Sequence, residues 1–512
     1  MSVENRAAIQ ALRRRSATSI VLASGVALTA MLMSACGGGG AAAGTESAAI
    51  AQFSDMVNVV AVPTFDIAPV ALTLPDANDD AATIHTDVVL PGMDTLSTTR
   101  LLPATIESQT NELLSARSQM GLAMAATPVK KVTVYTPAQI RRAYQLAAVT
   151  GSAVPARAVD RQALGAGQTI YLIDANDHPN AFLDLSAFSQ QFGLPGCTNI
   201  AITAATSLPL APASTSAGCT FSKVFADANG HITSVAPAYD ASWAMEIAMD
   251  VQEAHAMAPL ARIVLIEASA ATLQSLYSAV ALANTLGNGM VSMSFGAPEG
   301  NWTAAVDSVF QTSNMQYFAS TGDSGVGVSW PSVSSHVVAV GGTTLSFNGV
   351  MARSEVVWSG TGGGNSAYVA TPSYQAALSP ALASRRVADV AFDADPYSGQ
   401  FVAFTAKNGT RTWFSGGGTS IAAPAWAAMA AVINAQRAAG GLAMLASFQN
   451  GLYFGVLPNA GNYSSAFLDI AHGSDGSCAT CSAGTGYDAP TGLGTPNLTA
   501  LMGILGAYTT TP

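Results

Sequence analysis

The sequence predicts an α/β domain built on a doubly wound, mainly parallel sheet with helices on both faces. Three observations carry this reading. Short apolar strands alternate with helices over about 200 residues downstream of Tyr135. The strands are continuous apolar runs, as in residues 167–174 (GQTIYLID), the pattern of parallel strands covered on both faces. No fixed-length period recurs that would indicate a repeat architecture.

Taken in order, Pro137-Ala-Gln-Ile140 opens an amphipathic helix, and a strand over 167–174 ends in a polar turn. Helices are expected at 181–192 and 241–257, then a strand at 262–267, a helix at 272–286 and a strand at 289–294. A helix at 302–312 leads into strands at 316–320 and 337–340, and an alanine-rich helix occupies 422–438. In such sheets the chemistry sits at the carboxyl ends of the strands.

Upstream, residues 1–36 have the layout of an export signal. Arg13, Arg14 and Arg15 precede an apolar run from Ser19 to Met33, too short for a stable membrane span, and small residues follow. Met33-Ser-Ala-Cys36 resembles a bacterial lipoprotein cleavage box, with methionine where leucine is usual; the alternatives are a plain cleaved signal or an uncleaved anchor. Residues 37–126 are expected to be a tether and a short pro- or accessory segment with a helix at 106–126, ahead of a catalytic domain at 127–512. The expected location is therefore outside the cytoplasm: outer-membrane-anchored, periplasmic or secreted.

Composition bounds the partners. Charged residues make up 10% of the 512 and the formal net charge is -11, which argues against a nucleic-acid partner. So few ionisable groups suit an acidic or extracellular setting, because acidification changes the net charge little. Contact with a membrane is expected only through the N-terminal lipid, and the chain is expected to be a monomer. Apart from Cys36 there are four cysteines, Cys197, Cys219, Cys478 and Cys481, an even number that reads as two disulfides in an exported chain. Cys478 and Cys481 form a C-x-x-C in a Gly/Ser loop without a second such pair, so a local staple is favoured over half a metal site.

The sharpest local signal is Ser415-Gly-Gly-Gly-Thr-Ser420-Ile-Ala-Ala-Pro424. Glycines allow close backbone approach, and the N-terminus of the following helix favours negative charge developing beside Ser420. The bland alternative is a serine N-cap. A base must accompany a serine nucleophile. None of the six histidines lies in a string that would supply one: only His472 precedes glycine, in a loop beyond Ser420. Glu246 and Asp250 offer another base, at i and i+4 on one face of a helix otherwise made of Trp, Ala, Met, Ile and Val. Acids there are either the polar edge of a buried helix or a buried pair sharing a proton. Asp323, in Ser320-Thr-Gly-Asp-Ser-Gly325 just past a strand, is either a turn residue or a carboxylic acid that donates to an oxyanion.

Together these strings resemble the sedolisin family of serine-carboxyl peptidases, which have a subtilisin-like fold. The resemblance runs from about Tyr135 to Gly506 and includes Val340-Gly-Gly-Thr343; each motif is modest alone, and four in the right order are specific. It implies an acid-active serine-type endopeptidase acting on proteins or peptides, with Ser420 as nucleophile, Glu246 as base, Asp250 as its partner and Asp323 as the oxyanion acid. It also implies one structural Ca²⁺. The ligands would be the Asp469 and Asp488 side chains and the carbonyls of Ile470, Gly484 and Gly486, oxygen donors of the kind this hard cation prefers.

Two features depart from the family pattern or stand outside it. Sedolisins carry a large folded prodomain, whereas about 90 residues separate Cys36 from the catalytic domain here. Asp174 ends a strand like an active-site aspartate, and is read as structural, near the chemistry but outside it. The competing functions are a catalytically silent, peptide-binding surface lipoprotein on the same scaffold, and an esterase; the esterase lacks a Gly-x-Ser-x-Gly elbow.

Overall fold

The computed structural model describes residues 59–72, 74–75, 83–88, 131–376, 378 and 381–509. The export signal at 1–36 with its Cys36 box and the helix expected at 106–126 lie outside the described residues, as does most of the segment 37–126.

The elements that build the site are, in chain order, strands β1 (Val62–Pro63), β2 (Asp66–Ala71) and β3 (Thr169–Ala175), helix α1 (Ala181–Gln191), β4 (Thr220–Ala226), α2 (Ala241–Met257), β5 (Arg262–Ala268) and α3 (Leu273–Leu286). They continue with β6 (Gly289–Met293), β7 (Phe295–Pro298), β8 (Met315–Ser320), β9 (Val337–Ser346), β10 (Ser354–Val357), β11 (Val390–Asp393), β12 (Gln400–Thr405), β13 (Arg411–Gly417) and α4 (Thr419–Ala439). The main sheet has ten strands and runs β10-β9-β8-β6-β3-β5-β4 through its centre. Every pairing from β9 to β4 is parallel, with β10 antiparallel at the edge and β11 added in parallel beside β9. This is the doubly wound sheet the strand–helix alternation predicts.

Both faces of the sheet are dry, and the side-chain period of two divides the strands between them. Ile170 and Leu172 of β3, with Ile263 and Leu265 of β5, pack into the core that holds α2 and α4. Tyr171 and Ile173, with Val264 and Ile266, face the opposite core under α3. The central strands accordingly read as unbroken apolar runs. At roughly 25 cal/mol per Å² of apolar surface buried, the two cores supply the main favourable term in folding.

The helix over 241–257 has the expected bounds, and its start carries a local signal: Asp240 caps its N-terminus by accepting from Ser242 N–H and Trp243 N–H at 3.0 and 3.1 Å. The helix expected at 302–312 is shorter. It is helical over Thr303–Val306 and tightens to a 3₁₀ turn over Asp307–Phe310. No side chain caps either piece, and Asp307 is drawn away to Ser334 Oγ and His336. Strands β1, β2, β4, β7, β10, β11, β12 and β13 are additional to those expected.

The four cysteines form two disulfides, Cys197–Cys219 and Cys478–Cys481. No helix among the described residues is long and apolar enough to cross a membrane.

Candidate active site

Ser420 lies in the first turn of α4, two residues past its N-cap. That cap is Gly418, with φ of 86°, so Ser420 is not itself the capping residue. A side chain at 418 would be strained at this φ and would also collide with Asp323 Oδ2 and approach Thr64 O to 2.8 Å. Glycine here lets β13 turn into α4 with Ser420 and Asp323 on either side of one small space.

Helix α2 is buried along its whole length and packs against α4 on the same face of the sheet. Glu246 and Asp250 stand one turn apart on it, both 0% exposed. Ser294, just past β6, joins the two helices: its hydroxyl donates to Asp250 Oδ1 at 2.7 Å and lies 3.2 Å from the Ser420 carbonyl oxygen. Neither Glu246 oxygen has a partner with full hydrogen-bond geometry. The Ser420 hydroxyl is near enough to favour the ionised form of Glu246.

On the other side, Asp323 Oδ1 accepts from Thr419 N–H and Thr419 Oγ1–H at 2.8 and 2.7 Å, and its Oδ2 is buried without a partner. The Thr419 hydroxyl also accepts from Gly322 N–H at 3.1 Å, tying the loop after β8 to the start of α4.

Burial dominates the electrostatics. It lifts Glu246 well above the usual carboxylate range, and the charges of Asp250 and Asp174 lift it further. Burial lifts Asp250 as well, with the Ser294 hydrogen bond pulling against it. Asp323 is raised by burial and by the nearby Asp66, while the two Thr419 hydrogen bonds oppose the rise. Asp174, at the end of β3, is raised by burial and by Asp250, and both its oxygens lack partners. The three acids read from the sequence, Glu246, Asp250 and Asp323, therefore lie with Ser420 in one region, and Asp174, read as standing outside the chemistry, belongs electrostatically to the same cluster. Its position at a strand end was the signal. Ser294 had no motif to mark it.

The cleft beside Asp323 has a volume of about 490 Å³ and is lined by the loop from Thr321 to Ser329, by β7 and by residues Val62 to Phe65.

Of the second group of expected residues, Asp469, Gly484, Gly486 and Asp488 lie together. Asp469 accepts from Gly486 N–H at 2.9 and 3.1 Å and from the Tyr463 hydroxyl at 3.2 Å. Asp488 accepts from Gly484 N–H at 3.1 Å, and from Thr491 N–H and Oγ1–H at 2.9 and 2.8 Å. Burial pushes the Asp488 carboxyl up to about 6, with Asp469 adding repulsion. Two carboxylates facing one another across a Gly-rich loop fit a hard divalent cation, which would relieve that repulsion. The cluster of Cys197, Cys219 and His255 does not fit a metal, because its two sulfurs are bonded to each other.

The fold and site define the class: a subtilisin-like α/β domain with a serine and buried carboxyls at the carboxyl ends of parallel strands. The chain matches the structure of Pseudomonas sedolisin, a serine-carboxyl proteinase solved with two molecules of pseudo-iodotyrostatin, at a TM-score of 0.54 and 24% identity, covering 72% of this chain and 97% of that one. In sequence it is 32% identical to kumamolisin of Bacillus sp. over 286 residues (49% of each chain). It is 32% identical to sedolisin of Pseudomonas sp. over 232 residues (38% of this chain, 36% of that one). It is 33% identical to xanthomonalisin of Xanthomonas sp. over 188 residues (33% and 21%). The chain spans half or less of the length of these curated relatives. No family model matches it. The chain is thus related to the sedolisins over the matched stretches and has their fold.

Proposed function

We propose that the protein is an exported serine-carboxyl endopeptidase that hydrolyses peptide bonds in acid. One observation supports this above the others. The Ser420 hydroxyl stands between a buried carboxyl pair on α2 and a buried carboxyl on the β8 loop, and it lies against a peptide carbonyl, that of Thr64, which also accepts from Ser420 N–H at 2.9 Å. A site with its nucleophile, base and oxyanion donors assembled around a carbonyl is organised for acyl transfer.

In the proposed reaction Ser420 Oγ adds to the substrate carbonyl carbon and Glu246 takes its proton. Asp250, one helical turn away and fixed by Ser294, shares a proton with Glu246 as the reaction proceeds. The oxyanion is met by Ser420 N–H and by Asp323 in its protonated form. Glu246 then passes the proton to the departing amine, and a water molecule hydrolyses the acyl-serine by the same route. The scheme needs Glu246 ionised while Asp323 keeps its proton. Burial raises both, and hydrogen bonds oppose the rise in each, from Ser420 on Glu246 and from Thr419 on Asp323. As pH rises through the raised value of Asp323 the donor is lost, so activity should peak in acid and fade toward neutrality.

A structural Ca²⁺ held by Asp469, Asp488 and the carbonyls of Ile470, Gly484 and Gly486 would brace the C-terminal loops; it supplies fixed positive charge and takes no part in the proton transfers. Residues 1–36 are proposed as the export signal, with lipid on Cys36 as the one membrane contact. The rival reading, a silent peptide-binding lipoprotein, keeps the fold and loses the chemistry. Digestion of a peptide library by the purified protein from pH 3 to 7 and again at pH 8 and 9, with Ser420→Ala as control, separates the two. Turnover confined to pH 8 and above would overturn the carboxyl mechanism.

A further inference from the structure

The loop that carries Asp323 has little to hold it from within. Three of the seven residues from Thr321 to Gly327 are glycine, and such a segment keeps one shape only where its neighbours impose it. Two segments outside the site do so. Residues 360–363 form the first: Gly325 N–H donates to Gly360 O at 2.8 Å, Gly327 N–H to Gly363 O at 3.1 Å, and Gly362 N–H to Gly322 O at 2.8 Å. Residues 473–483 form the second, a short strap rooted on β10, where Val357 N–H donates to His472 O at 2.9 Å.

The strap meets the loop just past Asp323. Val326 N–H donates to Asp475 O at 3.0 Å, and Gly325, at φ of 76°, lets the same oxygen come within 2.9 Å of where a β-carbon would stand. Asp475 Oδ2 lies 2.9 Å from the corresponding position on Gly363, so the strap touches the loop and its other support together. Neither carboxylate oxygen of Asp475 has a hydrogen-bond partner, which leaves its carbonyl as the tie to the loop. A β-carbon on Gly476 would stand 3.0 Å from Val326 Cγ1 and 3.1 Å from Cys481 Sγ, so the Val326 side chain and the disulfide share one small space. Val326 also lines the cleft.

The strap has no core of its own. Two hydrogen bonds cross it, Ala483 N–H to Gly473 O and Asp475 N–H to Cys481 O, both at 3.0 Å. Of its residues only Asp475 and Cys481 are buried, at 5% and 1% exposed. A two-stranded turn without apolar packing is marginal in water. The Cys478–Cys481 bond closes it.

We infer that the strap 473–483, clamped by Cys478–Cys481, positions the proposed oxyanion acid Asp323, so that opening this disulfide disables the chemical step without unfolding the domain. The inference rests on the peptidase reading above and adds a positioning residue, Asp475, and a point of control by thiols. An acid that donates to an oxyanion must be held within about 0.5 Å of its productive place. Thr419 fixes the Asp323 carboxyl, and the two supports fix the backbone that follows it. Cys478 is exposed, so a dithiol reductant can reach its sulfur. One reductant thiolate bonds to Cys478 Sγ and the S–S bond breaks, with Cys481 leaving as a thiolate that takes up a proton. The second reductant thiol then displaces Cys478 in the same way. The strap gains two electrons and two protons, and the dithiol becomes a cyclic disulfide.

The test uses the full-length chain as wild type and as Cys478→Ser/Cys481→Ser, each also in an Asp323→Asn background, assayed on a peptide at pH 4. Opening the clamp should lower kcat about 10-fold or more and leave KM within about threefold, because the oxyanion exists only in the transition state. With Asp323→Asn already present, opening it should cost less than about twofold further. In Ser420→Ala at pH 5, hydrogen exchange over 324–327 should rise about 10-fold or more on opening, while 421–432 stays as it was. Wild type reduced with dithiothreitol at pH 7.5, alkylated at Cys478 and Cys481 and returned to pH 4 should match the double variant. That arm carries the test should the double variant not fold, and the exchange measurement decides should Asp323→Asn leave no rate to read. Unchanged kcat or unchanged exchange in an active enzyme, or equal losses with and without Asp323, overturns the positioning role and spares the peptidase reading. A wild type that cuts no peptide overturns both.

Discussion

Two regions of this domain bury carboxyl groups, and they do so in opposite ways. Around β9 to β11 two buried acids, Asp389 and Glu355, are matched to cations, while Asp393 beside them keeps one oxygen without a partner. Asp389 is gripped by Arg385 through two contacts, at 2.7 and 2.5 Å, and also accepts from the Tyr453 hydroxyl and Ala339 N–H. Glu355 accepts from Arg353 at 2.6 Å, from the Tyr144 and Thr495 hydroxyls and from Thr343. Around Ser420 the acids Glu246, Asp250, Asp174 and Asp323 have no cation against them, and each keeps at least one buried oxygen without a partner. Burial is common to both regions. What separates a structural acid from a reactive one is whether its charge is already answered. An unanswered buried acid holds its proton into a range where it can exchange it.

The largest effects expected from this contrast are on catalysis. Ser420→Ala should abolish turnover, and Glu246→Gln, which keeps size and polarity but cannot accept the proton, should reduce kcat by a factor on the order of 10² or more. Replacing each histidine singly should leave the chemical step intact. Single-turnover rates on folded variants check this, and a dead but folded histidine variant beside an active Glu246→Gln would break the assignment.

The next effect is on stability and has the opposite location. Arg385→Met strands the Asp389 charge and should cost about 3–5 kcal/mol, whereas Asp250→Asn replaces an acid already held neutral and should cost about 1 kcal/mol or less. Denaturant titration at pH 5 of both variants in the Ser420→Ala background makes the comparison. Equal losses would erase the distinction between the two regions.

A smaller effect concerns pH. Folding raises Glu246, Asp250, Asp174 and Asp323 well above their ordinary range, and Glu253, buried beside Arg141, to about 8. An acid raised by folding binds its proton more tightly folded than unfolded. Its stabilisation is complete below the ordinary carboxylate value and is lost as pH climbs through the raised one. His255, lowered to about 4 by burial, works the other way below its ordinary value, but is one group against five. The Tm of Ser420→Ala should therefore be several degrees higher at pH 5 than at pH 8; a Tm that rises across that interval would contradict the unanswered charges.

The smallest shift is expected at the C-terminal loops. Chelator should lower the Tm of the wild type and leave Asp488→Ala unmoved, because removing a carboxylate ligand removes the mass-action stabilisation by the metal. Equal sensitivity in both would count against a cation there.

Much of this arrangement was legible beforehand, and the parts that were not have physical causes. Helix α2 announced itself by its apolar run, and the parallel strands by unbroken apolar stretches. The hairpin of β12 and β13 left only a faint mark, the Asn408-Gly409 pair in its turn, between strands whose two faces are both buried and which therefore lack alternation. Glu246 and Asp250 could be paired by helical spacing. That Ser294 would join Asp250 to α4 depends on where two distant elements meet, and spacing along the chain carries no such information. The same holds for Thr64, separated from Ser420 by 356 positions and brought to it by strand pairing on both sides.

The helix that carries Ser420 is buried over nearly all of its 21 residues, packed at once on α2 and on the central strands. Its amide protons can meet solvent only when the two cores come apart, so exchange at Ile421 to Val432 should run at the rate of global unfolding rather than of local opening. The proposed nucleophile is thereby as durable as the whole domain: heat or acid that spares the fold spares the serine's position, and partial loosening of the surface loops leaves it in place. With the proposed peptidase activity, that also keeps the segment bearing Ser420 out of reach of neighbouring copies for as long as the domain stays folded.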